Sequence, residues 1–471
     1  MTLTLNLRKI LDRKQWEPVS LCPSGTATAA FTVKSNLTDQ YIYYFVSLAT
    51  IYQYDPKEDG WTLIPTSGAG GTFQAGSCGT FVSKRPQGTA TGGSTTTLNT
   101  NLTAGRDMRG YKILITGGPG AGDIKTIASN TIGANSVITI TDTFSATITS
   151  SSTYILVTGM VYFWNSGTMS ASSFRVYDVF LNTWSSLSVT SGPASWATDG
   201  KIVSTDTYGE YPVTFASGTA TAGGATTLTN SGKAWTTNQW SNYQVRITAG
   251  TGLGQIRPIT SNTGTVLTVP TWTTNPDATS VYVIEGNHDY LYLMGNNAVT
   301  LYRYVISTNT WSTLSPGTAR QAAPGAAMSA SYVDEVTDSD WTAENTIQNG
   351  KYIYSFRGAA GTAIDRYDIA LNVWNAAALV YAPAVETFTT GTGYCYAGNC
   401  IYLTKEATGR WFCYHITEFA MTSWGYNIYA QSTAHLGDRV TRVRYVDGAT
   451  TLTWIYAPGN NQTLWFRCLV I

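Results

Sequence analysis

The chain has 471 residues, 28 basic against 28 acidic side chains, and only 12% charged residues, where an ordinary globular domain has about a quarter. Balanced and dispersed charge excludes a nucleic-acid footprint, and no run of about eighteen apolar residues offers a membrane span. Fifteen Trp, 30 Tyr, 14 Phe and 45 Gly mark an aromatic-rich β protein whose low charge is poor for free solubility, which favours a surface occupied within an assembly.

Residues 1–14 read as an arm without an apolar stretch of secretory length. Gln15-Trp16-Glu17-Pro18-Val19 follows as a short Trp-led strand. Next comes the apolar strand Tyr41-Ile42-Tyr43-Tyr44-Phe45, then Tyr54-Asp55, with Trp61 seven residues after the Tyr. The same spacing returns at Tyr177-Asp178 with Trp184, at Tyr304 with Trp311, and at Tyr367-Asp368 with Trp374, after the apolar strands at 160–163, 290–294 and 351–354. A looser fifth copy runs from Cys400-Ile401-Tyr402-Leu403 through Trp411-Phe412-Cys413-Tyr414 to Trp424. The last stretch, 439–471, offers three strands and stops one short of a fourth; the strand led by Trp16 supplies it.

Two related modules interrupt this pattern, at 88–159 and 218–286. Gly88-Thr89-Ala90-Thr91-Gly92-Gly93 matches Gly218-Thr219-Ala220-Thr221-Ala222-Gly223, and Tyr111-Lys112-Ile113-Leu114-Ile115-Thr116 matches Tyr243-Gln244-Val245-Arg246-Ile247-Thr248. Ile124-Lys125-Thr126-Ile127 and Ser129-Asn130-Thr131 answer Ile256-Arg257-Pro258-Ile259 and Ser261-Asn262-Thr263. Period-2 alternation with Gly, Asn and Thr turns makes each module a small all-β domain. Both are expected to leave a repeat unit after its first strand, near Phe81 in one case and Tyr211 to Phe215 in the next, and to return before the strands at Met160 and Tyr290. With the modules excised, the underlying unit is about fifty residues long, the kelch period.

These Tyr-Asp and Trp spacings resemble the kelch β-propeller family over the residues outside the modules. The resemblance implies a strand ending in Tyr-Asp, a short turn and a Trp-led outer strand, with the two rings packed between blades. The family's diglycine is reduced to single glycines at Gly167, Gly295 and Gly358 and is absent after Phe45. The expected fold is an all-β, six-bladed kelch-like propeller closed by the N-terminal strand and carrying two inserted β domains. The expected boundaries are an arm at 1–14, propeller at 15–87, module at 88–159, propeller at 160–217, module at 218–286 and propeller at 287–471. Closure of this kind protects sheet edges. The structural repeat positions are Trp16, Tyr54, Trp61, Tyr177, Trp184, Tyr304, Trp311, Tyr367, Trp374 and Trp424.

Catalytic and ligand-binding patterns are absent from the sequence. Gly117-Gly118-Pro119-Gly120-Ala121-Gly122 has the look of a phosphate loop, but no Lys-Ser/Thr follows, and its counterpart Gly250-Thr251-Gly252-Leu253-Gly254 identifies a hairpin turn of the module. His288, His415 and His435 form no ligand pair, and Cys22, Cys78, Cys395, Cys400, Cys413 and Cys468 fall at no zinc spacing, although Cys395 and Cys400 could be hairpin neighbours. Glu58-Asp59-Gly60-Trp61 lacks the leading Ser of a sialidase Asp-box and occurs once, and the acidic excursion from Asp334 to Gly350 reads as a solvated loop. No catalytic residue, cofactor or metal is therefore expected.

The wording of the modules, with Lys233-Ala234-Trp235, Gly254-Gln255-Ile256-Arg257-Pro258-Ile259 and Pro276-Asp277-Ala278-Thr279-Ser280, resembles small β modules that recur in tailed-bacteriophage virion proteins. The resemblance implies a non-enzymatic virion component of the tail, neck or an attached fibre. It would be made in the host cytoplasm without a signal peptide, and would assemble with other virion proteins and with copies of itself. The alternative is a host-attachment propeller whose exposed Trp and Tyr stack on a surface glycan or receptor; membrane insertion is not expected.

Overall fold

Strands rich in aromatic and β-branched residues, broken by Gly, Asn and Asp turns, have few other ways to satisfy their backbone than to pair. A computed structural model describes residues 16–23, 31–34, 41–65, 73, 77–165, 167–168, 173–196, 201–206, 214–294, 300–316, 327–330, 352–356, 363–374, 379–380, 393–397, 400–405, 410–415, 420–426, 441–447, 450–458 and 463–469. Among these residues every regular element is a strand, and no helix is long and apolar enough to cross a membrane. The fold is all-β and of propeller type.

One antiparallel meander of four strands recurs. Sheet one runs through Phe31–Lys34, Ile42–Ser47, Thr50–Asp55 and Gly60–Pro65. Sheet two takes Cys78–Lys84, the C-terminal half of Thr153–Trp164, Phe174–Asp178 and Thr183–Ser186. Sheet three takes Lys201–Ser204, Tyr290–Met294, Leu301–Val305 and Thr310–Leu314, and sheet four Ala327–Ala330, Tyr352–Phe356, Ala363–Asp368 and Val373–Trp374, with Leu379–Val380 added beside its third strand. Sheet five is Tyr394–Ala397, Cys400–Lys405, Arg410–His415 and Ala420–Tyr426. Sheet six is Thr441–Asp447, Thr450–Pro458 and Trp465–Leu469, and its fourth strand is Trp16–Pro18, paired with Trp16 opposite Cys468.

The second strand of a meander is covered on both faces, which is why it reads as an unbroken apolar run. In sheet one, Tyr43 and Phe45 join a cluster with Phe81, Val161 and Phe163 of sheet two, whereas Ile42 and Tyr44 join Val443, Tyr456 and Trp465 of sheet six. Sheet five does the same: Ile401, Leu403, Phe412 and Tyr414 pack on Tyr354, Phe356 and Ile364 of sheet four, while Tyr402, Trp411 and Cys413 face Ile455 and Ala457 of sheet six. Period-2 alternation thus places consecutive side chains in two different inter-sheet cores.

The inserted segments share one internal architecture. Lys112–Gly117 pairs with Thr153–Trp164 and Ile124–Asn130; Gln244–Ala249 pairs with Val281–Glu285 and Ile256–Pro258. Both central pairings carry a bulge at one place, between Ile115 and Gly117 and between Ile247 and Ala249. Half-buried Asn130 accepts from the Met108 backbone N–H at 2.6 Å, and buried Asn262 accepts from that of Trp240 at 2.7 Å. The glycine-rich stretches are tight turns of the strand pairs, with Gly118, Gly120 and Gly122 at φ of 72°, 82° and 92° and Gly250, Gly252 and Gly254 at 74°, 83° and 85°.

The insertion points differ from expectation in one case. The first strand of sheet three is Lys201–Ser204, paired to Leu291–Met294, and not the Tyr211 to Phe215 stretch. Phe215 instead donates its backbone N–H to Ile284 O at 2.9 Å and packs on the second module. The alternation Tyr211, Val213, Phe215 is the stronger local strand signal, but pairing register is a long-range choice that local propensity does not make. Residues 207–213, along with His435, Gly295, Gly358, the acidic stretch 334–350 and the arm at 1–14, lie outside the described residues.

Candidate functional site

The expected repeat positions meet across strand pairs. Tyr54 lies opposite Trp61, Tyr177 opposite Trp184, Tyr304 opposite Trp311 and Tyr367 opposite Trp374. Ring centroids in these pairs are 4.8, 5.2, 5.0 and 5.4 Å apart. A third member, unnoticed in the sequence, completes each unit five residues after the Tyr. The four hydroxyls donate to Asp59 Oδ1 (2.7 Å), Asn182 Oδ1 (2.8 Å), Asn309 Oδ1 (2.7 Å) and Asn372 Oδ1 (2.9 Å). These acceptors sit at positive φ between 47° and 55°, where Asn and Asp are the tolerated residues short of Gly. Burial pushes the Tyr177 phenol up to about 12 and raises Tyr54, Tyr304 and Tyr367 too, so each stays a protonated donor at neutral pH.

Each Trp then ties its sheet to the preceding one. The Nε1–H groups of Trp61, Trp184 and Trp311 donate to Ser20 O (3.0 Å), Leu48 O (2.8 Å) and Ser188 O (2.8 Å). Trp374 departs: its Nε1 has no acceptor among the described residues, and its backbone N–H reaches Pro316 O at 3.2 Å instead. The Asp after the Tyr caps the turn, with Asp178 Oδ1 accepting from Phe180 N at 2.9 Å and Leu181 N at 3.0 Å. Where Val305 replaces that Asp, Asp289 does the work from another strand connection, accepting from Ser307 N at 2.7 Å and Ser307 Oγ at 2.6 Å.

The remaining positions behave differently. Trp16 packs on Trp411 of sheet five, with centroids 4.7 Å apart. Trp424 falls at a register shift: Trp411 pairs with Gly425 and Phe412 with Ser423, and the residue opposite Tyr414 is Met421. The nine of these positions whose side chains are described are therefore distributed along the seams between sheets.

The modules rest on the sheets by unlike contacts. In the first, Arg106 Nη2 donates to Gln53 Oε1 of sheet one at 2.7 Å, and Tyr111 packs on Tyr41. In the second, Asn242 Nδ2 donates to Ile369 O at 2.8 Å beside sheet four, and Arg303 Nη1 donates to Asn242 Oδ1 at 2.9 Å. The connections differ as well. Thr153–Trp164 passes unbroken from module into sheet two, whereas Val281–Glu285 and Tyr290–Met294 are separate strands joined by Gly286-Asn287-His288-Asp289.

A chemically distinct group lies on the face of sheet five turned to sheet six. Cys400 is opposite His415, and Cys413 is two residues before His415, so all three project to one side. Their ligand atoms lie within 4.8 Å of one another, with Cys400 Sγ 3.4 Å from His415 Nδ1. Cys400 and Cys413 are buried and His415 is half-buried. Cys395, opposite Tyr402 in the adjoining strand pair, shares this face, which makes Cys395 and Cys400 hairpin neighbours as the sequence allowed. None of the six cysteines is in a disulfide. Burial among these thiols raises the Tyr402 phenol well above its usual range. The sequence expectation of no ligand grouping missed this one because its signal is not a zinc spacing: it is Cys-x-His on a strand, with a second Cys at the register-matched place of the preceding strand.

No protein-family description matches the chain, and no curated protein matches it. Among solved structures, the chain is similar to one described as YCF48 bound to D1 peptide, with a TM-score of 0.36 and 8% identity over 98% of this chain and 96% of the other. It is also similar to a chain in a crystal structure of the mitotic checkpoint complex, with a TM-score of 0.32 and 9% identity over 97% and 91% of the two chains.

Proposed function

We propose that the chain is a structural component of a tailed-phage virion, in the tail, neck or an attached fibre, acting through contacts with other virion proteins and copies of itself and catalysing no reaction. Its body is a six-bladed propeller, closed by the N-terminal strand. The ring is supported by the order of neighbouring first strands: Phe31–Lys34 lies beside Cys78–Lys84, then follow Lys201–Ser204, Ala327–Ala330, Tyr394–Ala397 and Thr441–Asp447, which lies beside Phe31–Lys34 again.

The observation that carries the functional reading is the duplication of a module whose wording resembles those of phage virion proteins. Two copies keep their interior, yet they dock on different sheets, so each offers its outer surface to neighbours beside a different part of the body. The host-attachment alternative needs exposed aromatic platforms. Among residues whose side chains are described, every Trp, Tyr and Phe is buried or half-buried, and the exposed large apolar residues are aliphatic, such as Leu21, Ile132, Leu253 and Leu371.

The test is deletion of residues 88–159 and 218–286, each replaced by a short Gly-Ser linker. The expected product is a folded propeller that no longer co-purifies with particles. Normal incorporation of the doubly deleted protein would remove the modules from the assembly role.

A further inference from the structure

We propose that Cys400, Cys413 and His415 form a zinc site between sheets five and six. Two sulfurs and one imidazole nitrogen are the donor set of a thiophilic, borderline-soft ion, and three such donors occur in known tetrahedral zinc sites. In a site with Zn–S of about 2.3 Å and Zn–N of about 2.0 Å, ligand atoms stand roughly 3.5 to 3.8 Å apart. The 3.4 Å separation of Cys400 Sγ and His415 Nδ1 is close to that edge, and the 4.8 Å limit on all three atoms leaves about 1 Å of closure at most. The donors are held by two hydrogen-bonded strands, Cys400–Lys405 and Arg410–His415, in fixed register, so little chain entropy is lost on binding.

The location gives the ion a role. The same face packs on Ile455, Ala457 and Trp16, residues of the sheet that joins the two ends of the chain. A metal here would brace sheet five beside that junction. His415, half-buried at the end of its strand, provides the route by which an ion enters. Binding requires both thiols to deprotonate, so two protons leave as the ion arrives and the site empties in acid.

The test uses the full-length protein, fully reduced and stripped of metal, titrated with Co²⁺ as a spectroscopic stand-in and then with Zn²⁺. The expected result is one equivalent of Co²⁺ bound, with a thiolate-to-cobalt charge-transfer band in the near ultraviolet and tetrahedral d–d bands in the red, all abolished by one equivalent of Zn²⁺. Cys413→Ser and His415→Gln should each weaken Zn²⁺ binding roughly tenfold or more, while Cys78→Ser, a buried thiol in sheet two, should leave it unchanged. Wild-type protein that shows no charge-transfer band overturns the site, whatever the variants do. So does wild-type affinity for Co²⁺ and Zn²⁺ in both Cys413→Ser and His415→Gln, and uptake of Cu⁺ without uptake of Zn²⁺ overturns the choice of metal.

Discussion

At the scale of single residues, the seams between sheets depend on a three-part unit in which a Tyr hydroxyl donates to an Asn or Asp in left-handed conformation and the Tyr ring packs on a Trp, whose indole in three of the four units donates to a backbone carbonyl of the preceding sheet. Asn182 is the clearest case, since it accepts from Tyr177 and sits at φ 55°. Asn182→Ala removes the acceptor of a buried hydroxyl, at about 1–3 kcal/mol, and puts a Cβ-bearing residue without a polar side chain in the left-handed region, at about 1 kcal/mol more. A loss of roughly 2–3 kcal/mol in urea unfolding is expected, and it should shrink by about half when Tyr177→Phe is added. Strictly additive losses in the double variant would mean that the two side chains are not coupled. The Tyr and Trp of this unit were legible in the sequence through their constant spacing. The acceptor was not, because it is Asp once and Asn three times and both are ordinary turn residues.

At the scale of elements, the turns of the modules show how one residue type answers two different demands. Gly250 and Gly254 both have positive φ, at 74° and 85°. A Cβ on Gly250 would lie 2.0 Å from Thr279 O, whereas one on Gly254 meets nothing within 4 Å. Gly254→Ala should therefore cost only the conformational term of about 1 kcal/mol, and Gly250→Ala should cost clearly more, because the backbone of the facing turn at Thr279 has to move. Thermal melts of the two variants distinguish these cases, and equal losses would show that the turn relaxes freely. Period-2 alternation located most strands, yet it favoured the Tyr211 to Phe215 stretch over Lys201–Ser204 as the first strand of sheet three. Alternation reports which side chains prefer burial; it does not say which partner strand will bury them.

At the scale of the whole molecule, the strand Trp16–Pro18 joins the two ends of the chain. It pairs with Trp465–Leu469, Glu17 forms an ion pair with Arg467, and Trp16 covers Trp411 on the neighbouring sheet. Removal of residues 1–20 should expose a strand edge and the apolar face beneath it, giving aggregation or loss of a cooperative melt. A truncated chain that stays monomeric with an unchanged melting temperature would refute the proposed closure of six blades by this strand. The sequence by itself determined what is local or repeated: the strand-forming character, the duplicated modules with their glycine turns, and the Tyr and Trp spacing, since each rests on side-chain period and turn chemistry within a few residues. Only the tertiary structure decided which acceptor each Tyr and Trp finds, that the two modules dock on different sheets, and that Cys400, Cys413 and His415 converge on one face. Those outcomes depend on strand register and on sheet-to-sheet contact, where a shift of one residue sends a side chain to the opposite face, and no local pattern fixes that choice.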